Sequence, residues 1–114
     1  INLKFMVMLI GQMGYGVDVA LNGLEAVKMV EENVYDLIFM DNQMPGMNGM
    51  DATKYIRNLK NGKAVTIIGL SASVFKEDIE KALNIGMNGY LTKPVKINEI
   101  VEKIKACSLE LAGK

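Results

Sequence analysis

Asp41, Ser71, Tyr90 and Lys93 are the residues of this 114-residue chain whose types and spacing could carry chemistry. Asp41 closes the run Asp36-Leu37-Ile38-Phe39-Met40-Asp41, and Pro45, Gly46 and Gly49 force a turn soon after it. An apolar run bounded by turn residues reads as a fully buried strand of a parallel sheet. In open α/β sheets ligands bind outside the carboxyl ends of the strands, and a carboxylate held there can attack phosphorus. Ser71, Tyr90 and Lys93 are likewise expected at strand C-termini. Phosphoryl transfer is positioning plus charge neutralisation. Asp41 would supply the oxygen nucleophile, Lys93 a point charge for a phosphoryl oxygen, and Ser71 a hydroxyl donor to another. Drawing Ser71 inward would open space for Tyr90, converting local charge into a changed surface.

Each residue also has an ordinary role. Asp41 could cap its own turn or the following helix, and Ser71 could cap the next one. Tyr90 could be a half-buried packing aromatic and Lys93 a solvated charge. Pro94 restricts Thr92-Lys93-Pro94 to an extended turn, with a cis bond as one option.

Composition narrows the choices. The length suits one domain, residues 1–114, with a real core, and half the residues are hydrophobic, which excludes a disordered tail. Thirteen basic residues balance thirteen acidic ones, so nothing points to nucleic acid or an acidic membrane. No apolar run approaches a membrane span, and no signal-peptide head is present. The lone cysteine, Cys107, cannot form an internal disulfide, which fits a reducing cytoplasm; on the last apolar stripe, inert packing suits it. The absence of histidine excludes His-based triads, histidine metal sites and a phosphohistidine donor. No GxxxxGK[ST] is present, which argues against nucleotide hydrolysis. Whether the chain is an enzyme stays open. Phosphatases with an aspartyl intermediate often carry a second acid two residues after the nucleophile, and Gln43 stands there.

The elements that must position these residues follow from periodicity. Leu3, Met6, Val7, Ile10 and Met13 recur at helical spacing, so Ile1 to Met13 reads as a helix; the unbroken apolar run Phe5 to Ile10 allows a strand instead. Gly16 to Ala20 alternates like a strand. Asn22 can cap a helix, with Glu25 as its capping-box partner and Leu24, Val27 and Val30 as its apolar face. A helix from Gly49 to Leu59 shows Met50, Thr53, Ile56 and Leu59, and Asn61-Gly62 breaks the chain. Val65 to Leu70 is a strand ending at Ser71. A helix from Phe75 to Ile85 stops at Gly86, and Gly89 to Thr92 is a short strand. The final helix turns Ile97, Ile100, Val101, Ile104 and Leu111 inward. Alternating strands and helices predict a parallel sheet covered on both faces.

Four strings carry a family resemblance: DLIFMDNQMPGMNG, IIGLSAS, GYLTKP and GYGVDVALNGLEAV. Together they resemble the receiver domains of response regulators, especially those of hybrid histidine kinases, over essentially the whole chain. The resemblance implies a flavodoxin-like (CheY-like) doubly wound parallel sheet. It implies that Asp41 accepts phosphate from a histidine kinase or histidine phosphotransfer protein. It also implies that Ser71 is the switch hydroxyl, Tyr90 the switch aromatic and Lys93 the active-site lysine. Mg²⁺ is held in the family by an acidic pair, the phosphoacceptor aspartate and a backbone carbonyl that here belongs to Gln43.

The chain departs from that pattern at one place. The family's first strand and the acidic pair that ends it are not matched, and Ile1 to Met13 corresponds to the first helix, with Asn2 near its start. That strand normally lies in the middle of the order 2-1-3-4-5. Three explanations are open: the chain is N-terminally truncated relative to the family (preferred), a second copy fills the gap and gives a homodimer, or Phe5 to Ile10 takes the strand's place. Loss of two carboxylates predicts weak or absent Mg²⁺ binding and slow phosphorylation, with Asp41 and Lys93 paired. The alternative function is a pseudo-receiver, a protein-binding module independent of phosphorylation. Gly69 and Ser71 (often alanine and threonine in the family) are mild departures.

Overall fold

A computed structural model describes residues 3–112. The expected correspondence at Asn2 lies outside the described residues. In chain order the elements are α1 (Leu3–Gln12), α2 (Gly23–Glu32), β1 (Leu37–Asp41), α3 (Gly49–Asn58), a 3-10 turn (Lys60–Gly62), β2 (Thr66–Ser71), α4 (Lys76–Asn84), β3 (Gly89–Thr92) and α5 (Ile97–Ala112).

The strands form one parallel sheet in the order β1-β2-β3. Asp41 lies opposite Leu70, and Ser71 opposite Thr92. Period-two alternation sends the apolar side chains of each strand to two separate cores. Ile38, Met40 and Ile67 join Val30 of α2 and Ala52 and Ile56 of α3 on one face. Leu37, Phe39, Ile68 and Leu70 join Met6 of α1 and Ile100 and Ile104 of α5 on the other. Helices on both faces of a parallel sheet are the doubly wound, flavodoxin-like arrangement.

Local chemistry starts and stops these helices. The Asn22 Oδ1 accepts from the Glu25 N–H at 2.8 Å, and the Asn48 Oδ1 from the Asp51 N–H at 2.9 Å, which satisfies amides that a helix start leaves without partners. Gly86, at φ +121°, ends α4, where the Met87 N–H reaches back to the Ala82 carbonyl.

Several expectations need correction. Residues 3–12 are helical, so Phe5 to Ile10 does not replace a strand. Gly16 to Ala20 forms no strand. β1 ends the sheet, so among the described residues this segment has no ladder to join; Tyr35 holds it instead, donating to Asp18 Oδ2 at 2.7 Å. Leu24 is 67% exposed. The inward face of α2 runs through Gly23, Ala26 and Val30, because Gly23 is pressed on Met47, whose carbonyl oxygen lies 2.4 Å from where a Cβ would stand. That close approach phases the helix and turns Leu24 away.

In α5, Ile97 and Leu111 are 47% and 44% exposed, while Ile100, Ile104 and Cys107 are buried. A helix of 16 residues is about 24 Å long, whereas strands of four to six residues span about 13–20 Å. The sheet therefore covers only the middle of α5. Cys107 is a free, buried thiol whose Sγ lies 3.4 Å from the Asp36 carbonyl oxygen.

Beside β1, on the side away from β2, runs an open trough of about 870 Å³. Met6 and Ile10 of α1, Val17 and Val19, Ile38 and Cys107 are among the residues that line it.

Candidate functional site

The ends of β1 and β2 and the residue after β3 come together because the parallel ladder continues past the strands. The Asn42 N–H donates to the Leu70 carbonyl at 2.8 Å, and the Lys93 N–H to the Ser71 carbonyl at 2.7 Å. These bonds fix Asp41, Ser71 and Lys93 along one sheet edge. Two glycines shape the loop after Asp41. Gly46 takes φ +73°, and Gly49 lets α3 start against β1, since a Cβ there would stand 2.4 Å from the Asp41 carbonyl oxygen.

Lys93 Nζ lies 2.9 Å from Asp41 Oδ1, with the side chains 37% and 40% exposed. The Gln43 N–H donates to the same Oδ1, also at 2.9 Å. Asp41 is therefore both a turn cap and a partner of the lysine. Among the described residues, Oδ2 takes no hydrogen bond.

Ser71 is 5% exposed, and its Oγ accepts from the Ser73 N–H at 3.2 Å. Tyr90 stands elsewhere than expected. It is the second residue of β3, opposite Gly69, and not at the strand's C-terminal end. Its hydroxyl reaches the loop after Ser71, donating to the Ser73 carbonyl at 3.4 Å. The Lys93–Pro94 bond is cis.

Arg57 was not signalled by the sequence. From α3 its guanidinium donates to the carbonyls of Gly86 (2.8 Å), Gly62 (2.8 Å) and Val65 (2.7 Å), and to Asn88 Oδ1 (2.7 Å). Asn88 Oδ1 also accepts from the Ile67 N–H at 2.8 Å. The fork thus ties together the loops that feed β2 and β3. Burial lowers the Arg57 pKa from its ordinary value, although a guanidinium stays charged in proteins. The nearest traces in the sequence were the chain breaks at Gly62 and Gly86, which both turn out to be its partners.

Mg²⁺, the ion of the resembled family, takes hard oxygen ligands and near-octahedral geometry. Asp41 and the Gln43 carbonyl are the matching groups. Among the described residues, no three His, Cys, Asp or Glu side chains stand close enough to hold a metal, and Lys93 neutralises the one carboxylate present. These residues alone do not fit the ion.

Comparison with known proteins places the arrangement. The family model for the response regulator receiver domain matches residues 1–105. Hybrid signal transduction histidine kinase B of Dictyostelium discoideum is 41% identical over 112 residues, which cover 89% of this chain and 6% of that protein. The chain thus spans a small fraction of the length of such relatives. A receiver domain of a sensor histidine kinase from Pseudomonas aeruginosa, with magnesium coordinated in its active site cleft, superposes with TM-score 0.79 at 36% identity, covering 93% of this chain and 84% of that one. A chain in the co-crystal structure of a Saccharomyces cerevisiae histidine phosphotransfer protein and the receiver domain of its downstream response regulator gives TM-score 0.82 at 34% identity, covering 89% and 77%. Sequence, parallel sheet and strand-end residues agree: the chain belongs to the receiver domain family of response regulators, the receiving modules of two-component phosphorelays.

Proposed function

We propose that Asp41 is the phosphoacceptor, taking its phosphoryl group from a phosphohistidine of a histidine kinase or a histidine phosphotransfer protein. The observation that carries this reading is the Asp41–Lys93 pair at the sheet edge, with Oδ2 left open. Oδ2 forms the new O–P bond as the N–P bond breaks, and the electron pair leaves on the imidazole nitrogen. Lys93 then exchanges part of its contact with Asp41 for a phosphoryl oxygen, and Ser71 donates its hydroxyl to another. Tyr90 follows Ser71 and changes the surface around α4 and β3.

Weak Mg²⁺ binding and slow phosphorylation belong to this reading of the chain as it stands, because one lysine-paired carboxylate is a poor magnet for a hard dication. The same observation favours a second reading, a pseudo-receiver that binds partners without phosphorylation. We place the chain as a single module, residues 1–114, in a reducing cytoplasm, with a protein partner and no nucleic acid. No helix among the described residues is long and apolar enough to cross a membrane. A homodimer is the arrangement in which a second copy would supply what the trough lacks.

Intact-mass analysis after incubation with Mg²⁺ and phosphoramidate tests the proposal, with Asp41→Asn as control. A phosphoryl-sized gain lost in the control supports the phosphoacceptor. No gain, combined with retained binding to a phosphotransfer protein, supports the pseudo-receiver.

A further inference from the structure

Asp41 Oδ1 has two partners that reach it by different routes. Lys93 Nζ lies 2.9 Å away at the end of a flexible stem, and the Gln43 N–H donates at 2.9 Å from the backbone of the loop after β1. The second bond is only as fixed as the loop that carries it. That loop is bonded at its two ends: the Asn42 N–H to the Leu70 carbonyl at 2.8 Å, and the Gly49 N–H to the Asn42 carbonyl at 3.3 Å. Between them, among the described residues, Met44, Pro45, Gly46 and Met47 make no hydrogen bond. Packing alone holds that span. Met44 and Met47 lie partly buried on the core shared by α2 and α3. Gly23, the first residue of α2, meets the Met47 backbone so closely that a Cβ would overlap the Met47 carbonyl oxygen and stand 3.0 Å from the Met47 Cβ.

We infer that Gly23 is a positioning residue for Asp41: by seating the unbonded middle of the loop, it keeps the Gln43 N–H on Asp41 Oδ1. The inference rests on the proposed role of Asp41 as phosphoacceptor. A methyl group at position 23 has to displace something. α2 resists, because its Ala26 and Val30 are buried in a close-packed core. The far end of the loop resists as well, because Gly49 is pressed on the Asp41 carbonyl. The unbonded span is what yields, and Gln43 stands at its near end. Asp41 then keeps one donor, on a lysine stem with several rotatable bonds. Its carboxylate loses the fixed orientation that a transfer step needs. A glycine that served helix packing alone would leave the Gln43 bond untouched.

The Gln43 amide proton resonance, read on the whole chain without phosphodonor, separates the two. Gly23→Ala should move it upfield, the direction of a lost bond to a carboxylate. Leu24→Ala, at the exposed neighbouring side chain, should leave it in place. Uptake from phosphoramidate by Gly23→Ala should slow about tenfold at saturating donor, the scale of one hydrogen bond to a charged group. The half-saturating donor concentration should stay the same. An unmoved Gln43 resonance or unslowed uptake in Gly23→Ala, or an equal move in Leu24→Ala, would overturn the inference. If Gly23→Ala does not fold, Met47→Gly approaches the same contact from the loop, removing the side chain that seats it. An upfield Gln43 resonance there supports the role, and an unmoved one overturns it. Phosphoryl mass gain at Asp41 in the parent is a separate reading. No gain there defeats the phosphoacceptor, while the Gln43 resonance still decides whether Gly23 holds the loop.

Discussion

Lys93 Nζ reaches across the end of β2 to bond Asp41 Oδ1 at 2.9 Å, so the residue after the last strand neutralises the residue that ends the first. Both side chains are more than a third exposed, and pairs of that kind add about 0–1 kcal/mol to stability. Lys93→Met should therefore shift the urea midpoint only slightly. It should lower phosphoryl uptake from phosphoramidate at least about tenfold, the scale of one lost charge contact in the transition state. A large loss of stability with unchanged uptake would show a structural lysine instead.

Arg57 makes a stronger claim on stability. Arg57→Lys keeps the charge but cannot serve four acceptors with a point-like ammonium. It should cost about 2–4 kcal/mol, seen as a lower denaturant midpoint with an unchanged slope.

Gly69 exists for Met87. A Cβ at position 69 would stand 2.5 Å from Met87 Sδ and 3.4 Å from Tyr90 Cδ2. Gly69→Ala should destabilise by about 1–3 kcal/mol, the cost of overpacking. In the Met87→Ala background the same change should cost clearly less, a coupling that a thermal or denaturant double-mutant cycle reads directly.

Tyr35 ties the segment before α2 to the start of β1. The bond to Asp18, then burial and the Asp18 charge, push its pKa from 10.0 up to about 12. A raised acid pKa means the folded state holds the proton more tightly than the unfolded one. The stabilisation is thus complete below pH 10 and is lost as pH climbs from 10 toward 12. Tyr35→Phe should be slightly less stable at neutral pH, and its denaturation midpoint should fall less steeply over that window than the parent's.

Strand ends were legible in the sequence because an apolar run that stops at a polar residue marks its own terminus. Asp41, Ser71 and Lys93 therefore stand where their neighbours in sequence said they would. The strand Gly89 to Thr92 was legible as well, and by those same bounds Tyr90 is its second residue, so its expected place at the C-terminal end did not follow from the pattern. Helix faces were legible only in part. Leu24, Ile97 and Leu111 have the right spacing, but their burial depends on the area of sheet opposite them and on the close approach at Gly23. Gly16 to Ala20 has a strand's alternation, yet a strand exists only as a member of a ladder. Arg57 escaped because its partners lie up to 31 positions away, and no local pattern encodes a meeting of two loops.

The place of that arginine has a mechanical consequence. Its fork closes on Val65, Gly86 and Asn88, at the ends of β2 and β3 where the strands begin, while the Asp41 carboxylate hangs from the opposite end of the sheet. β2 and β3 thus share one clamped root, and β1, which carries Asp41, is joined to it through its ladder with β2. Sliding of β2 against β3 is opposed at that root by the guanidinium's bonds to both. Give in this part of the sheet is left to the far end, in the loops that follow Asp41, Ser71 and Thr92, which the fork does not reach.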